Sequence, residues 1–348
     1  MIVPEGATLK LDPQDEYTHT PEAVSNYNES MYFHAFDKKE PVGAWIRIGN
    51  RPNEGYAEVT CCVYLPDKRV GFMFLRPKIA GNKAMKAGGM DFEVIEPFKH
   101  LKAAYSGDVL LLINPFDMAD PGAAFKANPK VSCNIALDIT GLSPMFGGEI
   151  VKPDGTPWEL DPETAVFRGH TEQHIGAKGR ITIGDLSFNV DGFGYRDKSW
   201  GPRYWQNFFW YKWLPITFGP DFGIVASIMG RPGEKPFING NVFAGGILNP
   251  IREASVDSEW DENFYQTRLT ARLRTDVREY LLEGRIVSLV PLRHRRTLEN
   301  GRESNARITE GMTEYRCEGH KAYGMSEYLD LIVDNRPISL NKAAWGEA

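Results

Sequence analysis

The sequence predicts an all-β protein built as two tandem antiparallel β-barrels, with few short helices. Three observations carry that expectation. Short apolar runs with strand-like alternation recur along the chain, each bounded by Gly, Pro, Asp or Asn. No strand, Gly-rich turn and helix follow one another, which argues against a doubly wound nucleotide-binding sheet. The 348 residues exceed one ordinary domain, and the strand pattern resumes after Trp200. The expected domains are therefore 1–200 and 201–348.

Element by element, residues 57–65 alternate, Pro66-Asp67-Lys68-Arg69 supplies a turn, and 70–75 resume the pattern as a hairpin. Further strands are expected at 92–98, 103–105, 109–113, 131–139, 179–183 and 186–192. In the second half they are expected at 208–216, 222–229, 242–247, 266–273, 279–290, 312–317 and 321–329. Thr20-Pro21-Glu22 has the composition of a helix start, and 120–128 could form a second short helix.

Composition narrows the function. Hydrophobic residues at 42% and charged residues at 25% are globular values, so disorder and coiled coil have no support. A net charge of -6 argues against a nucleic-acid partner. The basic run Arg293, His294, Arg295, Arg296 reads as a solvated loop or strand end. Cys61, Cys62, Cys133 and Cys317 show no CxxC or zinc spacing, and the adjacent pair points to opposite faces of a strand. The start of the chain lacks a basic and apolar leader, and the longest apolar run, 109–113, cannot span a bilayer. A cytoplasmic, reduced protein without an integral membrane segment is expected; a homodimer is compatible with the sequence. On that expectation the sequon Asn28-Glu29-Ser30 stays unmodified.

The aromatic share of 12% exceeds what core packing needs, and it concentrates near chemistry-bearing residues. The densest stretch runs from Gly192 to Trp205. Alternation places Tyr195, Asp197 and Ser199 on one face and Arg196, Lys198 and Trp200 on the other. It offers an acid, two guanidinium groups from Arg196 and Arg203, and the rings of Tyr195, Trp200, Tyr204 and Trp205; an inter-domain connector is the plainer reading. Upstream, His170, Glu172 and His174 of His-Thr-Glu-Gln-His share one strand face. Glu stands third, so the helical zinc motif is not matched; an acid/base group is preferred to a metal ligand, and a polar surface strand is the plainer alternative. Near the ends of the chain, Glu29 sits with Tyr32, and Glu327 with Tyr323, among aromatic and Met residues. Burial there would raise the carboxyl pKa and make either Glu a proton donor. The run 204–213 is aromatic enough to wall an apolar cavity.

Gly194 to Arg203, GYRDKSWGPR, resembles the signature G-x-R-D-x-S-W-G-x-R of the carotenoid 1,2-hydratase (hydroxyneurosporene synthase) superfamily. HTEQH resembles the H-x-E-Q strand preceding that signature. Tyr27-Asn28-Glu29-Ser30-Met31-Tyr32-Phe33 and Tyr323-Gly324-Met325-Ser326-Glu327-Tyr328-Leu329 resemble its first and last segments. The resemblance implies two lipocalin-like barrels packed side by side and cofactor-free water addition to isoprenoid double bonds; related proteins are implicated in cyclisations. Carried over by position, it makes Asp197 the candidate acid, with Arg196, Trp200, His170 and Glu172 beside it. Lys198 departs from the pattern, where His is common.

The expected function is a cofactor-free acid/base enzyme, a hydro-lyase or isomerase. Its substrate would be a hydrophobic small molecule, isoprenoid, steroid or aromatic, held in an apolar pocket near the domain junction. Asp197, His170, Glu172 and Arg196 are the expected catalytic residues. Trp200, Tyr195, Arg203, Trp205, Tyr32, Glu29, Tyr323 and Glu327 are expected to bind substrate, and no metal is expected. The alternatives are a non-catalytic carrier, which needs no titratable group in its cavity, and a cyclase that folds a polyene by shape.

Overall fold

The computed structural model describes residues 3–231, 233–297 and 303–340. They divide into two compact units, unit 1 with 3–66, 71–111 and 130–207 and unit 2 with 67–70, 112–129 and 208–340. The first unit therefore runs to residue 207, and two segments of the first half group with the second unit.

Unit 1 carries β1 (Thr8–Lys10), β2 (Tyr27–Asp37), β3 (Gly43–Arg51), β4 (Tyr56–Tyr64), β5 (Val70–Leu75), β6 (Met85–Ala87), β7 (Met90–Glu96) and β8 (His100–Leu112). It continues with β9 (Lys130–Gly141), β10 (Phe146–Val151), β11 (Gly169–Ile183) and β12 (Leu186–Pro202). Strands β11, β12, β2, β3, β4, β5, β8 and β9 pair in that order and β9 returns to β11, closing an eight-stranded antiparallel barrel. Closure leaves those eight strands no open edge, the main hazard of a large sheet.

Two expectations are corrected in this unit. Residues 103–105 and 109–112 belong to one strand, β8, because Ser106-Gly107-Asp108 continues the ladder opposite β9 instead of turning, and Ile113 lies just past its end. No helix starts at Thr20; a 3-10 turn occupies Pro13–Glu16 instead, after Asp12 and with Pro at its first position. The expected hairpin at 57–75 and the helix, here Pro121–Ala127 with Asp120 as its N-cap, are present.

Strand β9 tells which face of the sheet is inside. Cys133, Ile135, Leu137 and Ile139 are buried while residues 132, 134, 136, 138 and 140 are exposed. Register carries that inner face through Ala177 to Gly192, and so by alternation to Arg196, Lys198 and Trp200. Asp197 and its neighbours point outward.

Charges inside the barrel come paired. Glu16, 1% exposed, accepts two hydrogen bonds from the Arg196 guanidinium, both 2.7 Å, and a third from the Phe98 N–H. Arg196 Nε donates to Gln173. Glu29, fully buried, takes Lys198 Nζ at 2.6 Å, the His19 ring at 2.8 Å and Asn82 at 2.6 Å. Trp200 closes this group, stacked on His19 with ring centroids 4.3 Å apart and with Lys198 Nζ over its face.

Unit 2 carries β13 (Trp210–Gly219), β14 (Phe222–Gly230), β15 (Phe237–Ala244), β16 (Ile247–Trp260), β17 (Gln266–Thr275), β18 (Glu279–Thr297), β19 (Glu303–Cys317), β20 (His320–Val333) and β21 (Arg336–Pro337). It is a meander in which each strand pairs with the next, and the β13–β20 pairing joins its two ends. Leu214, Ile216, Ile224, Val242, Leu269 and Leu282 form the centre of its core. The expected strand 242–247 is instead the end of β15 and the start of β16, separated by Gly245 and Gly246, both at positive φ. Residues 293–296 form the end of β18, the strand-end alternative of the two expected; the side chains of Arg295 and Arg296 lie outside the described residues. Among the described residues no helix is long and apolar enough to cross a membrane.

Removing one partner of a buried ion pair leaves an uncompensated charge and costs about 3–5 kcal/mol. Glu16→Leu is therefore expected to lose about that much in urea unfolding, and Glu16→Leu with Arg196→Met to recover most of it. A Glu16→Leu protein as stable as wild type would show that the pair is not buried.

Candidate active site

The sequence places functional side chains by register. Across β11, β12, β2, β3 and β4 the outward face of unit 1 presents three successive rows of directly paired residues. The first is His170, Ser199, Ser30, Gly49 and Glu58; the second is Glu172, Asp197, Tyr32, Arg47 and Thr60; the third is His174, Tyr195, His34, Trp45 and Cys62. Most of these residues are buried although they point away from the barrel interior, Tyr195 completely and His34, His174 and Ser199 to within 1%.

The centre of the face is an ion pair. His170 Nε2 is hydrogen-bonded to Asp197 Oδ2 at short range, and the His170 ring lies stacked on Phe167, 5.1 Å away. Burial disfavours the imidazolium, but Asp197 and then Glu172 raise the His170 pKa above its ordinary 6.5. Burial likewise disfavours the Asp197 carboxylate, yet His170, Arg203 and Arg47 hold its pKa below the ordinary 3.8. Ligand atoms of His170, Glu172 and Asp197 all lie within 4.8 Å of one another, so this set could hold a divalent cation. The direct His170–Asp197 contact already engages one such atom of each residue.

Around the pair lie rings and donors. Tyr32 stacks on Trp45 at 5.9 Å, and His174 meets Tyr195 edge-on at 4.7 Å. Burial pushes His34 and His174 down to about 3, with His174 adding to the shift of His34, so both rings are neutral near pH 7. Arg203 donates to Ser199 Oγ, which lies 3.0 Å from Ser30 Oγ, and its guanidinium covers the Trp205 ring. Asn28, 1% exposed, has no hydrogen-bond partner at either amide atom, and neither does Trp45 Nε1. Each such group costs about 1–3 kcal/mol in the ligand-free protein.

A family model for a domain of unknown function (DUF7064) matches residues 12–332. The chain belongs to the DUF7064 family. No curated protein matches it. Among solved structures, this family member is similar to an AttH protein of Nitrosomonas europaea, with a TM-score of 0.60, 11% identity, and coverage of 94% of this chain and 98% of that one. It is also similar to CghA in complex with Sch210972, with a TM-score of 0.52, 9% identity and coverage of 93% and 98%. Kievitone hydratase from Nectria haematococca follows at a TM-score of 0.48, 9% identity and coverage of 95% and 98%. At these identities the likeness shows the fold, and that fold is the one implied by the resemblance to the hydratase superfamily.

The outward face brings together Asp197, His170, Glu172, Tyr195 and Tyr32, with Arg203 and Trp205 at its side. Arg196, Glu29 and Trp200 are on the opposite face. Arg196, expected to be catalytic, is a strut saturated by Glu16 and Gln173. Glu29, expected to be a proton donor through a raised pKa, is instead held down at about 2: burial opposes its charge, but Lys198 and His19 outweigh it. Trp200, expected to line a pocket, packs on His19 inside the barrel. Lys198, standing where His is common, also points inward and removes nothing from the outward face. Tyr323 and Glu327 lie on β20 of unit 2, half-buried; Glu327 accepts a hydrogen bond from Tyr211 and pairs across the ladder with Glu310. The residues missed from sequence were Arg47 and Trp45. Their signal was an Arg and a Trp two apart in the strand Ala-Trp-Ile-Arg-Ile-Gly, buried on both faces.

A histidine with a raised folded pKa contributes stability fully below 6.5, lost as pH rises through the folded value. An aspartate with a lowered pKa contributes above 3.8, lost as pH falls through its folded value. The pair is thus intact from below 3.8 to above 6.5. In an NMR titration His170 should titrate above 6.5, and in Asp197→Asn its midpoint should fall. An unchanged midpoint in that variant would remove the ion pair.

Proposed function

We propose that this chain is an acid/base enzyme of the hydratase, dehydratase or isomerase type, acting on a hydrophobic small molecule at the outward face of unit 1. The observation that carries this reading is the His170–Asp197 ion pair with Glu172 beside it, set among buried aromatic rings. The fold shared with CghA, crystallised with Sch210972, supports a ligand-binding role.

The proton sits on His170, not on Asp197 as the motif alone implied. In the hydration direction the His170 imidazolium protonates an alkene carbon, and the C=C π pair becomes the new C–H bond. The faces of Tyr32 and Trp45 shelter the resulting cation. Water adds to the adjacent, cationic carbon, its proton goes to the Glu172 carboxylate, and transfer back to His170 restores the resting state. Dehydration runs the same steps in reverse. Asp197 stays ionised throughout; it orients the imidazole and stabilises its charge. No step is assigned to a metal or an organic cofactor.

The test is a screen of apolar alkenes, enones and alcohols in D2O, read by mass spectrometry for carbon-bound deuterium or gain or loss of water. Turnover should persist after EDTA treatment. His170→Gln and Asp197→Asn should each lower the rate at least about a hundredfold while remaining folded. Ligands that bind tightly but leave unchanged, in wild type and both variants alike, would make the protein a carrier. Full rates in His170→Gln would overturn the assignment of the proton.

A further inference from the structure

On the reading of this face as the ligand site, we propose that Asn28 and Arg47 form a subsite for a neutral carbonyl oxygen, so that the molecules taken up are apolar carbonyl compounds.

Asn28 lies in β2 on the outward face, two residues before Ser30. Its side chain is 1% exposed and neither amide atom has a hydrogen-bond partner. Buried amides are nearly always paired, so an unpaired one marks a place where a partner arrives from elsewhere. Gly49 lets the two side chains close over it together: a Cβ at residue 49 would lie 2.9 Å from Arg47 Nη2 and 3.0 Å from Asn28 Oδ1, so any side chain there would push the guanidinium or the amide aside. The ion partner of Arg47, Glu58 Oε2, stands 3.6 Å away, beyond hydrogen-bonding range.

Charge selects the class of ligand. Asn28 Nδ2 and the Arg47 guanidinium are donors, and Trp45 Nε1 on the same face is a third that lacks an acceptor. A hydrocarbon would leave Asn28 Nδ2 and Trp45 Nε1 without an acceptor. The carboxylates of Glu58, Glu172 and Asp197 on this face are already matched by Arg47, Arg203 and protonated His170, so no excess charge calls for an ionic head group. A neutral carbonyl satisfies the donors without upsetting that balance, and Asn28 Oδ1 remains to accept from an adjacent hydroxyl or N–H. Asn28 and His170 stand two strand spacings apart and two residues out of step, about 12 Å between backbones. A carbonyl held at Asn28 and conjugated to a double bond near His170 would be polarised for protonation or water addition.

The experiment compares a matched probe pair, 2-acetylnaphthalene and 2-ethylnaphthalene, by fluorescence titration without turnover. Wild type should bind the ketone about tenfold more tightly. Asn28→Leu, of similar volume, should keep or raise the melting temperature, because no internal hydrogen bond is lost, and should abolish the preference. If Asn28→Leu does not fold, Asn28→Asp, which keeps the shape and exchanges the donor for an acceptor, should abolish it instead. Equal affinities or no binding in wild type, or a preference that survives in the folded variant, overturns the subsite. A ketone preference without deuterium exchange keeps the subsite and removes the acid/base reading; exchange without preference does the reverse.

Discussion

Fifteen residue pairs face one another along β11 and β12, and their register decides what each face of unit 1 can do. A slip of one residue in β12 would turn every one of its side chains over. Arg196 and Lys198 would leave the barrel, and Asp197 would enter it beside no cation. The alternation resists that slip because each inner charge has one fitting partner, Glu16 for Arg196 and Glu29 for Lys198. The ion pairs inside the barrel thus support the orientation of the acid and base outside it, with no contact between the two sets required.

The same residue types behave in opposite ways on this hairpin and its neighbours, and local charge explains the difference. His34 and His174 are buried, and burial keeps both rings neutral near pH 7. His170 is half-buried, but Asp197 faces it, and the balance reverses. Among the carboxylates, Glu29 is fully buried and yet ionised, because Lys198 and His19 both reach it. Burial alone predicts the wrong protonation state for Glu29; burial with the partner named predicts the right one.

That distinction also sets what could be read from the sequence. The two-barrel all-β class was legible because period-two alternation and turn residues are local signals. So was the partition of Tyr195 and Asp197 from Arg196 and Trp200, which follows from alternation once the segment is a strand. Which of the two faces lies inside was not legible, because it depends on β9 and its register with β11. The proton on His170 was not legible for a similar reason: it needs the pairing of residues 170 and 197, whereas a motif written on one strand shows only the acid. Arg47 and Trp45 escaped because they belong to no motif and gain meaning only opposite Tyr32 and His34.

The connectivity of unit 1 has a price in biosynthesis. Strand β2 pairs with β12, and Ser30 meets Ser199 across 169 positions, while Glu16 waits for Arg196 across 180. At roughly 5–20 residues per second a ribosome spends on the order of 10–35 s between making these partners. Throughout that interval β2, β3 and β4 can form as a meander, but the outer edge of β2 stays open and Glu16 lacks its cation. A nascent chain with an unpaired, largely apolar strand edge is the kind of species that chaperones shield. The closed ring that leaves the finished barrel without a free edge is thus bought with a long exposure on the way to it.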